Sequence, residues 1–364
     1  MTQKKIIIFM PSIEGGGVEK NFFIVCNYLV QKVDRLKVIT ISKKFKRKFN
    51  KSISLVTPAS YMWDGFGRRL KYFIAIFLLI KEIIKDKNPI IFSFQANIYC
   101  ILICKLFSVK VISRSNTAPI GWSKNFIKRI IFKKVLNLSD KVMVNSIQFK
   151  KDLKKELNVN SECIYNPLNK KEIIKKSKEK SKKIFNNKSK LKILNIGRFT
   201  EQKDQLTLLK SLNKLKNKIN FEACIVGRGV LKEKLQKYIS DNKIGHLVKI
   251  INFVENPYPL IRQSDLFILS SKFEGLPNVL LESLALKKFI ISSNCPTGPK
   301  EILINGKGGL LFKTGDYNDL SRKIIFFVKN KKKCKKMNTI AIKNLKKFDY
   351  SDNLNKYFNL IKKI

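Results

Sequence analysis

Twice along this chain, short β-branched runs alternate with longer stretches of helical periodicity, and no other feature restricts the available folds as much. In the first half, strands are expected near Lys5–Met10, Leu36–Ile41, Ile90–Phe94, Val109–Ser113 and Lys141–Val144, with helices between them. A second series runs through Leu191–Ile196, Phe221–Val226, Val248–Ile251, Leu266–Leu269, Phe289–Ser292 and Gly309–Phe312. Alternation of this kind is the signature of parallel βαβ units. At 364 residues the chain exceeds what one hydrophobic core usually organises. Two Rossmann-like domains are therefore expected, at 1–168 and 191–349. Between them, 169–190 is Lys-rich and holds few large apolar residues apart from Ile173, Ile174, Ile184 and Phe185, so it reads as a linker. At the end, Leu354, Tyr357, Phe358, Ile361 and Ile364 recur at helical spacing behind Ser351, which describes a helix over 350–364 with a face to bury. Its docking partner is not legible from spacing.

Charge comes next. Seventy-five Lys and Arg against 26 Asp and Glu leave +49. Such a field concentrates anions, whether nucleic acid, acidic lipid head groups or nucleotide phosphates, and does not choose among them. A coding bias that spreads Lys over every solvated face accounts for part of it. The seven Cys are odd in number and scattered, which fits reduced thiols and a cytoplasmic location. MTQKKIIIFMP has too short an apolar run for a signal peptide and reads as a first strand. The apolar run Tyr72–Ile80 is far short of the roughly 20 residues that span a bilayer.

Three elements carry chemistry. Gly15-Gly16-Gly17 follows the first strand and precedes a helical run, where backbone can approach an anion at a helix N-terminus. The triplet lacks the G-x-G-x-x-G spacing of dinucleotide folds, so a plain tight turn also accounts for it. Gly197-Arg198-Phe199 with Lys203 sits at the end of the first strand of the second half, where open α/β sheets bind ligands. Arg198 and Lys203 could neutralise a diphosphate leaving group there, or be two solvated cations among many. Finally, FEGLPNVLLE places Glu274 in a loop before a helix with Pro in its first turn, and Glu282 inside that helix. Two carboxylates can accept hydrogen bonds from sugar and ribose hydroxyls. Helical Glu usually faces solvent, but Glu282 lies within VLLESLAL, which favours a buried partner.

With these elements in order, the chain resembles the GT-B glycosyltransferases of family 4, whose E-x7-E signature is read here as Glu274 to Glu282. The resemblance also runs through GGGVEK, NIGRFTEQKD, CIVGRG, SDLFILSSKFEGLPNVLLE and CPTGPKEIL, and so spans nearly the whole chain. It implies two Rossmann-like domains facing a central cleft, with the C-terminal helix packing back toward the first. It further implies that Gly16 and Gly17 approach the donor phosphates and that Arg198 and Lys203 hold the diphosphate. Glu274 would act at the transferred sugar, helped by the backbone of Gly275 and Leu276, and Glu282 would bind the ribose. The family reaction retains anomeric configuration, with the leaving phosphate taking the acceptor's proton. The implied donor is a nucleotide-diphosphate sugar, UDP-linked by resemblance. The implied acceptor is a glycan or lipid-linked glycan of a bacterial surface polysaccharide, such as lipopolysaccharide, O-antigen or capsule.

No D-x-D occurs and there is a single His, so metal-independent transfer without a cofactor is expected. The family often places a His in a first-domain loop near the sugar; the comparable SRSNTAP offers Arg114, Ser115 and Asn116, which makes Arg114 and Asn116 the acceptor-side candidates. His246 reads as a surface residue. After the E-x7-E helix, Lys287 and Phe289 stand where the family has Gly and Pro, and Asn252 replaces another Gly. Ser123–Leu138 is a basic amphipathic helix that suits either an anionic membrane or the first domain's core. A peripheral place at the inner face of the cytoplasmic membrane follows from the first option. Nucleic-acid binding has only the charge in its favour and none of its motifs. A dinucleotide oxidoreductase lacks its glycine fingerprint. A GT-B epimerase or phosphorylase, or a binding-only relative, stays open.

Overall fold

The computed structural model describes residues 2–86, 88–116, 126–187 and 189–364. The chain splits into two compact units, Met1–Pro167 with Tyr350–Ile364, and Leu168–Asp349.

In the first unit, β1 (Thr2–Phe9), β2 (Val33–Ile39), β3 (Ser54–Val56), β4 (Ile90–Ser93), β5 (Val111–Arg114), β6 (Lys141–Val144) and β7 (Glu162–Cys163) form one sheet in the order β3-β2-β1-β4-β5-β6-β7. Every pairing is parallel. Parallel strands are covered on both faces, which is why β4 reads as the unbroken run IIFS with all four residues buried. At three and two residues, β3 and β7 are too short to show a period in the sequence. On one face, α1 (Gly17–Leu29) packs Phe22, Val25 and Leu29 into a core shared with the C-terminal helix, Tyr350–Lys362. That helix contributes Leu354, Tyr357, Leu360 and Ile361 to the first unit, although the whole second unit precedes it in sequence. On the other face lie α2 (Arg68–Lys85), α3 (Asn97–Leu106), α4 (Phe126–Asn137) and α5 (Ile147–Leu157). The start of α5 is fixed by Ser146, whose Oγ accepts the Phe149 N–H at 3.1 Å.

The second unit repeats the plan. Strands β8 (Leu191–Ile196), β9 (Phe221–Gly227), β10 (Val248–Asn252), β11 (Leu266–Leu269), β12 (Phe289–Ser293) and β13 (Leu310–Phe312) pair in the order β10-β9-β8-β11-β12-β13, again all parallel. Its helices are α6 (Lys170–Lys176), α7 (Gln205–Leu215), α8 (Lys232–Asp241), α9 (Tyr258–Gln263), α10 (Asn278–Ala285), α11 (Pro299–Ile302), α12 (Tyr317–Lys329) and α13 (Lys331–Asn344). The stretch 169–190, read above as a linker, instead belongs to this unit. Asn169 caps α6 by accepting the Glu172 N–H at 3.0 Å, and Ile173, Ile184 and Phe185 are buried. The N–H groups of Asn186 and Asn187 then donate to the Glu222 carboxylate at 2.7 and 3.2 Å. Three buried apolar side chains suffice to pin a segment whose lysines from Lys170 to Lys183 are exposed.

In both sheets the strand order reverses beside the first strand. The chain winds outward from β1 to β3 and then crosses to β4; it winds from β8 to β10 and then crosses to β11. The loops that leave the carboxyl ends of the two strands on either side of this reversal lie next to each other at the crevice position where open α/β sheets usually bind ligands.

Candidate functional site

The crevice of the second unit is built by the loops after β8 and β11. Lys203, from the first, places its Nζ 2.5 Å from Glu274 Oε1, from the second. Glu274 is 6% exposed. The same oxygen accepts the Ser271 hydroxyl at 2.6 Å, so one carboxylate oxygen takes two donors. The Ser270 hydroxyl donates to the Lys203 carbonyl at 2.9 Å, and Ser293, at the end of β12, donates to the Ser271 carbonyl at 2.6 Å. Three strand ends thus hold the Lys203–Glu274 pair.

The backbone around Glu274 is clasped from the loop after β12. The Glu274 N–H donates to the Pro296 carbonyl at 2.6 Å, the Thr297 N–H donates back to the Glu274 carbonyl at 3.1 Å, and the Thr297 hydroxyl donates to the Gly275 carbonyl at 3.0 Å. Gly298 follows at φ +86, and a Cβ there would lie 2.3 Å from the Gly275 carbonyl oxygen. Glycine is required at this position both by the left-handed backbone and by the close approach. Nearby, Cys295 is no nucleophile: burial, then the adjacent Glu274 charge, pushes its thiol up to about 12.

Glu282 sits one turn into α10 and is 7% exposed. The Tyr258 hydroxyl of α9 donates to its Oε1 at 3.4 Å. Arg198 is exposed at the mouth of the β8 loop, while its carbonyl accepts Gln205 Nε2 at 3.1 Å. The loop after β9 presses on this one, since a Cβ on Gly227 would meet the Gly197 carbonyl oxygen at 2.0 Å. His246 is exposed. Lys287, standing at the end of α10, adopts φ +59, a left-handed conformation imposed on a side chain.

The remaining candidates belong to the first unit. Gly16 caps α1 after Gly15 at φ +83, and the Gly16 N–H is taken by the Glu19 carboxylate at 2.9 Å. An internal anion therefore already lies at this helix start, next to the exposed Gly17. Across this sheet's own crevice, the Ser12 N–H donates to Gln95 Oε1 at 2.9 Å. Arg114, read as an acceptor-side cation, is instead a core residue at 1% exposure. Its Nη2 donates to Asn166 at 2.8 Å and its guanidinium stacks 5.0 Å over the Phe94 ring, which turns it to packing rather than to solvent. Asn116 donates to the Phe94 carbonyl at 2.9 Å. The rest of SRSNTAP, from 117 onward, lies outside the described residues, as do 123–125 of the basic amphipathic helix.

Ser271, Thr297, Gly298 and Tyr258 escaped sequence reasoning as site residues. Ser271, Thr297 and Gly298 lie within quoted motifs, but hydroxyls and glycines are common, and Tyr258 lies outside them with no spacing rule tying it to Glu282.

Two parallel-sheet units with this strand order define the GT-B class of fold. Residues 176–344, within the second unit, match the family described as glycosyl transferases group 1. The chain is 25% identical over 375 residues, covering 99% of both chains, to the Campylobacter jejuni GalNAc-alpha-(1->4)-GalNAc-alpha-(1->3)-diNAcBac-PP-undecaprenol alpha-1,4-N-acetyl-D-galactosaminyltransferase. It is 32% identical over 221 residues to the Methanocaldococcus jannaschii glycosyltransferase MJ1059, a match spanning 56% of this chain and about half, 53%, of that relative. The solved structure of Anabaena HepE in complex with UDP and glucose superposes with a TM-score of 0.79 over 100% of both chains at 14% identity, a likeness of fold. The family match and the relatives named as transferases support transferase activity.

Proposed function

We propose that this chain is a retaining glycosyltransferase that moves a hexose or N-acetylhexosamine from a UDP-linked sugar to a glycan or lipid-linked glycan acceptor in bacterial surface polysaccharide synthesis. The observation that carries the reading is the buried Glu274 carboxylate held by Lys203 and Ser271 at the crevice of the second sheet. A fixed carboxylate accepts hydrogen bonds from hydroxyls of the transferred sugar and so sets its orientation, and such fixed geometry lowers the barrier. Lys203 and the exposed Arg198 supply positive charge for a diphosphate that gains charge as its bond to the sugar breaks. Backbone of Gly275 and Leu276 borders Glu274, Glu282 serves the ribose hydroxyls, and Gly16 and Gly17 serve the donor phosphates. The acceptor hydroxyl attacks the anomeric carbon on the face that the diphosphate leaves, and its proton passes to the departing phosphate. This chemistry asks for no protein nucleophile, cofactor or metal.

The names of relatives agree with the donor and acceptor classes: the Campylobacter enzyme is named for an undecaprenol-linked glycan, and the Anabaena structure holds UDP. A lipid-linked acceptor supports a cytoplasmic protein held peripherally at the inner face of the cytoplasmic membrane. No described helix is long and apolar enough to cross one. A panel of nucleotide sugars tests the donor. The true donor raises the melting temperature by mass action, and transfer to a short-chain polyprenyl-diphosphate glycan is followed by mass spectrometry, with and without chelator. A flat melting response to every nucleotide sugar overturns the reading, and so does free nucleotide-sugar turnover without glycan transfer.

A further inference from the structure

The first unit leaves one side of its helical layer strongly apolar and exposed. Helix α2 buries Ala75, Leu79 and Ile83 against the sheet, yet its opposite face is apolar too: Phe73, Phe77 and Ile84 are 72%, 68% and 68% exposed. These positions fall at helical spacing and form one stripe. Helix α3 packs beside α2, with the Tyr72 and Tyr99 rings 6.5 Å apart, and exposes Leu102 and, at 76%, Leu106. Helix α4 packs beside α3; it buries Val135 and Leu136 and exposes Ile127 and Ile131. Three neighbouring helices with apolar outer faces exceed the scattered apolar residues of an ordinary soluble surface.

Charge identifies what covers this surface. The three helices carry ten Lys and Arg and a single acid, Glu82. That acid is buried in an ion pair with Lys37 and so presents no negative charge outward. A second copy of a +49 chain would set like charges against each other across the contact. Aromatic and aliphatic side chains interleaved with cations match an anionic bilayer interface, where rings enter the acyl boundary and amines meet phosphates. We infer that the outer faces of α2, α3 and α4 form a shallow insertion surface that seats the chain on anionic lipid. The inference rests on the peripheral placement proposed above and names the surface that achieves it.

Vesicle sedimentation at physiological salt tests it, with phosphatidylcholine vesicles alone or containing phosphatidylglycerol. Wild type partitions onto the anionic vesicles and not the neutral ones. The exposed double change Phe73→Ser/Phe77→Ser, and separately Leu106→Ser/Ile131→Ser, lower partitioning by roughly tenfold or more. Both keep the wild-type melting temperature and its rise with nucleotide sugar, so loss of lipid binding is read apart from loss of donor binding. In a Phe77→Trp variant, bromine-labelled acyl chains quench the emission gained over wild type, which already carries two Trp. No partitioning overturns the inference. So does unchanged partitioning of the serine variants, which leaves adsorption through general charge, or apolar variants that abolish self-association or a protein contact but not lipid binding.

Discussion

Lys203 and Glu274 lie 71 residues apart in sequence and 2.5 Å apart in space, Nζ to Oε1. The family resemblance implies separate tasks for them, the amine at a diphosphate and the carboxylate at a sugar. The ion pair makes them one unit, in which each fixes the charge and direction of the other. Such pairs are non-additive under mutation. Glu274→Gln is expected to lower kcat by about a hundredfold, in line with removal of one preorganised electrostatic group. Lys203→Ala lowers kcat and weakens donor binding, and the double variant falls well short of the product of the two losses. Strict multiplication of the effects in steady-state kinetics would show that the pair acts independently.

For Glu282 the expected loss is in binding. Glu282→Ala raises the donor Kd with a smaller change in kcat. Tyr258→Phe, which removes a 3.4 Å hydroxyl contact, reproduces the effect weakly, at about 0.5–1.5 kcal/mol of donor affinity. Titration calorimetry with UDP reads both, and a wild-type Kd in Glu282→Ala removes this residue from the donor site.

Backbone strain gives a pair of opposite expectations. Gly298→Ala forces a Cβ to within 2.3 Å of the Gly275 carbonyl oxygen at φ +86, and should cost about 1–3 kcal/mol and displace the loop that clasps Glu274. Lys287→Gly relieves a side chain held at φ +59 and should gain about 0.5–1 kcal/mol. Chemical denaturation measures both, and a stabilised Gly298→Ala would contradict the clasp.

The Lys37–Asp86–Glu82 cluster makes stability depend on pH at both extremes. Asp86 accepts from Lys37 Nζ at 2.6 Å, with Arg35 and Lys5 beside it. The Lys37 hydrogen bond holds the Asp86 carboxyl below the usual carboxylate range. Its contribution is therefore present above the ordinary value near 4 and fades as pH falls through the lower folded value. For Lys37, burial works against the charged amine, but hydrogen bonds to Asp86 and Glu82 outweigh it and raise the pKa. That contribution is complete below the ordinary lysine value, about 10.4, and fades as pH rises through the higher folded value. Asp86→Asn should cost about 1–3 kcal/mol at pH 7, because Arg35 and Lys5 leave the cluster partly open to solvent. The gap to wild type should narrow below pH ~4. A gap independent of pH would refute the linkage.

Much of the fold is written locally. Fully buried parallel strands such as IIFS and LFIL announce themselves as apolar runs between helical periods, and two series of them specify two α/β units. FEGLPNVLLE and CPTGPKEIL likewise mark the neighbourhood of the candidate site. The 169–190 stretch shows the limit: its lysines dominate composition, yet three buried apolar residues decide its place in the second unit. Arg114 shows another, since a cation in a loop-like motif gave no sign of the Phe94 ring and Asn166 amide that draw it inside.

By itself, then, the sequence determined the alternation of strands and helices, the two-unit plan, and which short segments hold unusual residues, because periodicity and motif are properties of neighbours along the chain. Only the tertiary structure decided that Lys203 closes on Glu274, that Thr297 and Gly298 clasp the Glu274 loop, and that α2, α3 and α4 turn a second apolar face outward. Those outcomes depend on strand order. Crossing from β10 back to β11 brings together loops that sequence separates, and a helix that is apolar on two sides can bury only one against its sheet.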